Sequence, residues 1–214
     1  MSKLQKAIEQ VNDRDYEAAA KLFVEYIDEQ PEDPVGYINF ANLLALTNQL
    51  QEAERCFLRA IELNQSSATA YYGLGNLYYE QDLLQEAEKM FKHCLKLGLE
   101  DADVYFMLGM TYVKRDDIML SLPFLQRATE LDGQPESLFQ YGLSLAKMNF
   151  EKEAEAVWHR VLKLDKTHAD TLYNLGIIAA NKQEISLALA YFDDALTVQP
   201  DHALARRAKE NLLE

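Results

Sequence analysis

The residues of this chain able to do chemistry are few, and none stands beside a partner. The four histidines are His93, His159, His168 and His202, and no serine or cysteine is paired with them by a recognisable motif. There is no P-loop, GxGxxG or HExxH. Asp116-Asp117 and Asp193-Asp194 are neighbours in sequence. On a helix such neighbours point about 100° apart, so they read as turn and solvated-face residues rather than an acid–base pair. Cys56 and Cys94 lack CxxC or Cys/His ligand spacing and read as reduced thiols packed like small hydrophobes. The expectation is no catalytic residue, no metal and no cofactor, hence no enzyme. Function must come from a surface.

The elements that would build such a surface repeat along the chain. The stretch Ala68 to Leu97 reads as two amphipathic helices joined by a break at Asp82-Leu83-Leu84. Tyr71, Leu74, Gly75 and Tyr78 fall at i, i+3, i+4, i+7 on one face of the first helix, and Ala87, Phe91, Cys94 and Leu95 do so on the second. Neither helix buries its stripe alone, so the pair needs neighbours of its own kind. Stepping 34 residues back gives Tyr37, Phe40, Ala41, Leu44, and 34 forward gives Tyr105, Leu108, Gly109, Tyr112. Leu138, Tyr141, Gly142, Leu145 follow after 33, then Leu172, Leu175, Gly176, Ala179 after 34. The second-helix triplet recurs as Ala19-Phe23-Tyr26, Ala53-Phe57-Ala60, Ser121-Leu125-Ala128, Ala154-Trp158-Val161 and Ala188-Phe192-Ala195, with Pro31 and Pro200 at repeat ends.

This pattern resembles the tetratricopeptide repeat (TPR) family: a bulky residue, Leu-Gly, an aromatic, then Ala, Phe, Ala and a terminal Pro. The runs YINFANLL, SSATAYYG, LPFLQRA and PDHALA look like those of a small bacterial stand-alone member. The resemblance implies an all-α, right-handed TPR superhelix. It would form one solenoid domain, 1–214, with repeats 1–33, 34–67, 68–101, 102–134, 135–168 and 169–202 and a capping helix 203–214. It implies a protein or peptide partner and no chemistry.

Composition agrees with a folded chain, at 49% hydrophobic and 26% charged residues. A formal net charge of -14 argues against nucleic acid or an anionic membrane as partner. The acidity reads either as a preference for basic partners or as solubility and helix-dipole complementarity. MSKLQKAIEQ has no apolar core of a secretory signal, and no run reaches the roughly 18 apolar residues of a membrane span, so a cytoplasmic location is expected.

Three segments depart from the repeat. Residues 1–13 carry Lys3 and Lys6 where other repeats are bulky and apolar, and read as a polar cap or a docking helix. Pro123 lies inside the helix expected over Ile118 to Leu131, which predicts a kink or a restart near Ser121, with a hinge after the fourth repeat as the functional alternative. Ala203 to Leu213, with Arg206, Arg207 and Lys209, reads as a capping helix or a small basic docking patch.

In TPR proteins the first helices line a concave groove, and this implies the candidate site. The position after each first-helix anchor gives Ile38, Tyr72, Phe106, Phe139 and Tyr173. The next gives Asn39, Gly73, Met107, Gln140 and Asn174, and one turn on stand Asn42, Asn76, Met110, Leu143 and Ile177. Tyr79 and Val113 lie a further turn along. Asparagines pair with a peptide backbone whatever its sequence, and aromatics and methionines make adaptable apolar pockets. The ladder of large side chains reads as groove or as core. Asp103, Glu136, Asp170, Lys114 and Lys147 form a charged rim or complement helix dipoles. The family's carboxylate clamp for chaperone tails is not matched, because its first Lys position carries Ile38 or Tyr72 and no groove Arg is available. A glycosyltransferase-type asparagine ladder is matched only at Asn39 and Asn174. The reading is a non-catalytic scaffold or adaptor that binds a peptide or protein through Asn39, Asn42, Tyr72, Asn76, Tyr79, Phe106, Met110, Phe139, Tyr173 and Asn174. The alternative is a self-associating architectural protein that uses the groove for contacts between copies.

Overall fold

A computed structural model describes residues 2–213; Met1 and Glu214, the outermost residues of the expected 1–214 domain, lie outside the described residues. Among the described residues the chain forms thirteen α-helices and no strand. They are α1 (Lys3–Asn12), α2 (Tyr16–Glu29), α3 (Pro34–Leu46), α4 (Leu50–Leu63), α5 (Ala68–Glu80), α6 (Leu84–Lys96) and α7 (Ala102–Lys114). Then follow α8 (Ile118–Leu131), α9 (Pro135–Lys147), α10 (Glu151–Leu164), α11 (Ala169–Asn181), α12 (Ile185–Val198) and α13 (Ala203–Leu213). The helices gather into two compact units, residues 1–114 and 115–214. None of them is long and apolar enough to cross a membrane.

Each pair of helices is closed by the same turn. The residue after the C-cap of the first helix is left-handed: Arg14, Asn48, Asp82, Asp116, Asn149 and Gln183 all have φ between 61° and 64°. At α3 the Asn48 N–H donates to Ala45 O at 3.0 Å and the Gln49 N–H to Leu44 O at 2.8 Å, a Schellman closure that satisfies the last carbonyls. The break expected at 82–84 falls instead on 81–83, because this closure consumes Gln81 and Asp82 and Leu84 already starts α6.

In unit 1 hydrophobic clusters bridge a helix pair and the first helix of the next. Ala7, Ala19, Phe23 and Leu43 join α1, α2 and α3. Ala41, Ala53, Phe57, Ala60, Ala70 and Leu74 join α3, α4 and α5. The alanines let helices approach and the phenylalanines fill the space between them; burying one such ring contributes about 2–3 kcal/mol. Repeats are also tied by polar contacts: Tyr78 Oη donates to Glu54 at 2.7 Å, and Tyr112 Oη to Glu88 at 2.9 Å, 34 residues on. Lys3, on the polar first helix, pairs at the surface with the exposed Glu25 and Glu29 of α2 at 2.8 and 2.7 Å.

In unit 2, Leu138, Val157, Trp158, Val161 and Leu175 join α9, α10 and α11, and Leu172, Ala188, Phe192, Ala195 and Ala205 join α11, α12 and α13. Gly142 and Gly176 are demanded by these packings: a Cβ would stand 2.3 Å from the Trp158 ring and 2.4 Å from the Phe192 ring. The restart expected near Ser121 does not occur. Helix α8 runs unbroken from Ile118 to Leu131 through Pro123. Pro123 and Met119 both lie on the exposed side, so the Met119 carbonyl that loses its partner faces water rather than core. Ser121 is fully buried and returns its hydroxyl to Ile118 O at 2.8 Å.

Candidate functional site

In unit 1 the first helices α1, α3, α5 and α7 present a face broken by three cavities. The first, about 280 Å³, lies between α1 and α3 and is lined by Ile8, Val11, Phe23, Asn39, Asn42, Leu43 and Leu46. The second, about 150 Å³, lies between α3 and α5 among Asn42, Ala45, Leu50, Phe57, Gly73, Asn76, Leu77 and Glu80. The third, about 220 Å³, lies between α5 and the start of α7, lined by Thr69, Tyr72, Leu99, Asp101, Asp103 and Val104. Asn42 belongs to the first two, and Tyr72 and Asn76 stand one turn apart on α5 between the second and the third. Five of the ten candidate residues, Asn39, Asn42, Tyr72, Asn76 and Tyr79, thus come from α3 and α5, and the cavities take in the first four.

Helical spacing brings these side chains to one face; neighbouring helices decide what each can still do. The Asn39 amide donates to Val35 O of its own helix at 2.8 Å, so that group is engaged and its oxygen is the acceptor it offers. Asn42 is exposed. Asn76 Oδ1 is buried with no hydrogen-bond partner. Asn76 also stands beside the Tyr72 phenol, where its hydrogen bond opposes the upward push that burial gives the Tyr72 pKa. The Tyr72 ring packs against Phe91 of α6 at 5.9 Å between centroids, so one face lies toward the core and the hydroxyl end toward the third cavity. At Gly73 a Cβ would meet the Phe57 ring at 2.3 Å, which is why this ladder position alone lacks a side chain. Phe106 and Met110 of α7 are half-buried.

Tyr79 is covered by a cation. Lys114 Nζ sits 4.7 Å from its ring centroid, donates to Tyr79 O at 3.1 Å and pairs with Asp82 at 3.1 Å. Burial raises the Tyr79 pKa, and Lys114 opposes the shift. This rim lysine therefore caps the C-terminal end of the neighbouring α5 rather than its own helix.

Each unit encloses one ladder residue, Ile38 at 7% exposed in unit 1 and Phe139 in unit 2. Phe139 is only 8% exposed and belongs to the α9–α11 cluster. Its ring packs 6.5 Å from Trp158 and 4.6 Å from His168. Tyr173, half-buried, repeats the arrangement with Phe192 at 6.1 Å and His202 at 5.3 Å. Both histidines are N-caps: His168 Nδ1 accepts from Thr171 N–H at 3.3 Å, and His202 Nδ1 from Ala205 N–H at 3.1 Å. His202 Nε2 is 3.1 Å from Asp170, so this rim carboxylate is engaged within the fold. Asn174 behaves as Asn39 does, donating to Asp170 O at 2.7 Å. Among the described residues no group of three or more His, Cys, Asp or Glu is placed to hold a metal ion.

The sequence reading missed Ile8, Phe23, Leu46, Thr69, Leu99 and Asp101 as cavity walls. Asp101 follows Tyr72 by 29 residues, five short of the 34-residue step, so the repeat spacing did not pair them.

Patterns of the TPR repeat match residues 41–82, and those of the tetratricopeptide repeat match 67–98, 102–135 and 139–203. The crystal structure of YrrB, a TPR protein with an unusual peptide-binding site, superposes with a TM-score of 0.79 at 43% identity, covering 89% of this chain and 99% of that one. This chain belongs to the tetratricopeptide repeat family. It is an all-α TPR solenoid, and it resembles YrrB. The TPR repeat-containing protein YrrB of Bacillus subtilis (strain 168) is 54% identical over 37 residues, which are 17% of this chain and 18% of that relative, so this match spans under a fifth of either. PilF of Pseudomonas aeruginosa superposes with a TM-score of 0.86 at 15% identity over 98% of this chain and 96% of its own, a likeness of TPR fold alone.

Proposed function

We propose that this TPR chain is a non-catalytic scaffold that holds a partner's peptide segment against its first helices. The contacts are Asn39, Asn42, Tyr72, Asn76, Tyr79, Phe106 and Met110 in unit 1, and Phe139, Tyr173 and Asn174 in unit 2. The single solenoid domain of 1–214 and a cytoplasmic setting belong to the same proposal. The observation that carries it is the pair of cavities that share Asn42, flanked by Asn39 and Asn76. An extended chain laid across them meets amide groups at intervals and apolar floors between, which suits backbone pairing with side chains seated alternately. A rigid face built before binding lowers the ordering cost. The 43% identity to YrrB, a TPR protein with a peptide-binding site, supports the reading.

The test uses peptides selected by the intact protein from a random 12-residue phage library. Asn42→Ala with Asn76→Ala removes two side-chain hydrogen bonds, for an expected weakening of about tenfold at unchanged helicity. Equal affinity of wild type and variant would sink the groove as the site.

A further inference from the structure

We infer that the segment held along unit 1 carries a lysine or arginine whose head group enters the cavity between α5 and α7, against Tyr72, Asp101 and Asp103. This rests on the groove reading above and adds the chemistry of the occupant. The charged groups that line the three cavities are Glu80, Asp101 and Asp103, all carboxylates. Lys114 at the nearby rim is already paired with Asp82 and bonded to Tyr79 O. The neutral groups lean the same way. Asn76 Oδ1 is buried without a donor, and Asn39 has turned its amide nitrogen to its own helix. The charged groups of this face are acceptors alone, and a cationic side chain is the donor-rich occupant that matches them.

The cavity has the make-up a basic side chain needs along its length. Leu99 and Val104 offer apolar wall for the aliphatic stem, Tyr72 adds its phenol oxygen as an acceptor, and the two carboxylates stand at the α7 end. A bare metal ion lacks the ligands, since no metal-holding group exists among the described residues. An acidic tail would be repelled here and by the net charge of -14. Asp101 and Asp103 are both exposed, so their attraction is screened by water and acts on partner choice and approach rate more than on total affinity.

The experiment selects the same random 12-residue phage library on wild type and on Asp101→Asn, Asp103→Asn. Asparagine serves as well as aspartate ahead of a helix, so α7 is expected to keep its start, with circular dichroism as the check. The expected result is a lysine or arginine enriched at one fixed position on wild type and lost on the variant. A selected peptide should bind the variant about threefold more weakly, mostly through slower association, and the gap should close in 0.5 M NaCl. Neutral or acidic consensus peptides, or a basic preference that survives in the variant, overturn the inference while leaving the groove reading intact. If no peptide is enriched and the mass rises with concentration in sedimentation, a second copy fills the face and both readings fail.

Discussion

Asn76 carries a folding cost within a single side chain, its buried Oδ1 having no hydrogen-bond partner. A buried acceptor left without a donor costs about 1–3 kcal/mol, and asparagine is a weaker helix former than alanine. Asn76→Ala should therefore raise the urea midpoint, by about 0.5–1 kcal/mol of stability, while weakening peptide binding. A variant that lost both would make Asn76 structural. Cys94 is the opposite case. It is fully buried, bonded to Ala68 O at 3.4 Å, and occupies a position held by Ala60, Ala128 and Ala195 elsewhere. Burial pushes its thiol up from 9.0 to about 12. The folded chain keeps a proton that the unfolded chain releases, so this contribution is whole below about pH 9 and is lost as pH climbs toward 12. Tyr78 shifts the same way through burial and Glu54. Denaturation midpoints between pH 8 and 11 should fall for wild type and fall less for Cys94→Ala. Cys94 should also resist iodoacetamide at pH 8 until the chain unfolds. The sequence already placed Cys94 in the core, and Asn39, Asn42 and Asn76, which it proposed as peptide contacts, line cavities on the first helices. It did not show that Asn39 and Asn174 bond back to their own helices, since a side chain's choice between its own carbonyl and solvent leaves no trace in spacing.

At the level of helices, the sequence was legible where packing repeats and silent where geometry is local. The Ala-Phe-Ala triplets marked every second helix, and the spans expected at Ile118–Leu131 and Ala203–Leu213 agree with α8 and α13. Gly142 and Gly176 were readable as close-approach positions, and the test is direct. Gly142→Ala gains up to about 1 kcal/mol in helix propensity but drives a Cβ into Trp158, for an expected net loss of about 1–2 kcal/mol in thermal denaturation. The left-handed turns were not readable, because none of the six carries glycine. Gln183 has φ of 64° with no special affinity for that region. Gln183→Gly should stabilise the α11–α12 pair by about 0.5–1 kcal/mol, and a lowered midpoint would show that its side chain is doing more than turning the chain. Phe139 shares its spacing with Tyr173 and each packs beside a histidine ring, yet Phe139 is 8% exposed and Tyr173 half-buried, a difference that spacing does not carry.

Across the whole chain, stability is distributed over clusters that each borrow a wall from the next helix. The α11–α12 cluster takes Ala205, Ala208 and Leu212 from α13. Of the basic residues of α13, Arg206 donates to Pro200 O and Lys209 pairs with Asp193, each at 2.5 Å, so much of its charge serves attachment. Ending the chain at residue 202 should therefore expose Phe192 and Leu172 and speed hydrogen exchange in α11 and α12, while α3 to α5 exchange as before. Exchange that rose evenly throughout would show one indivisible cooperative block. The repeat period made this architecture visible in the sequence, but the cavities were not, since their walls come from residues about one repeat apart that share no motif.

The six left-handed turns have a consequence for how the chain changes over generations. Each holds a side chain where glycine would sit with less strain, and each lies in a different helix pair. A lineage carrying this gene thus keeps several independent single-residue routes to a sturdier protein outside the first helices, Asp82, which pairs with the Lys114 that covers Tyr79, being the exception. With that reserve in hand, costly new residues can be tried along the first helices and kept if a new partner rewards them.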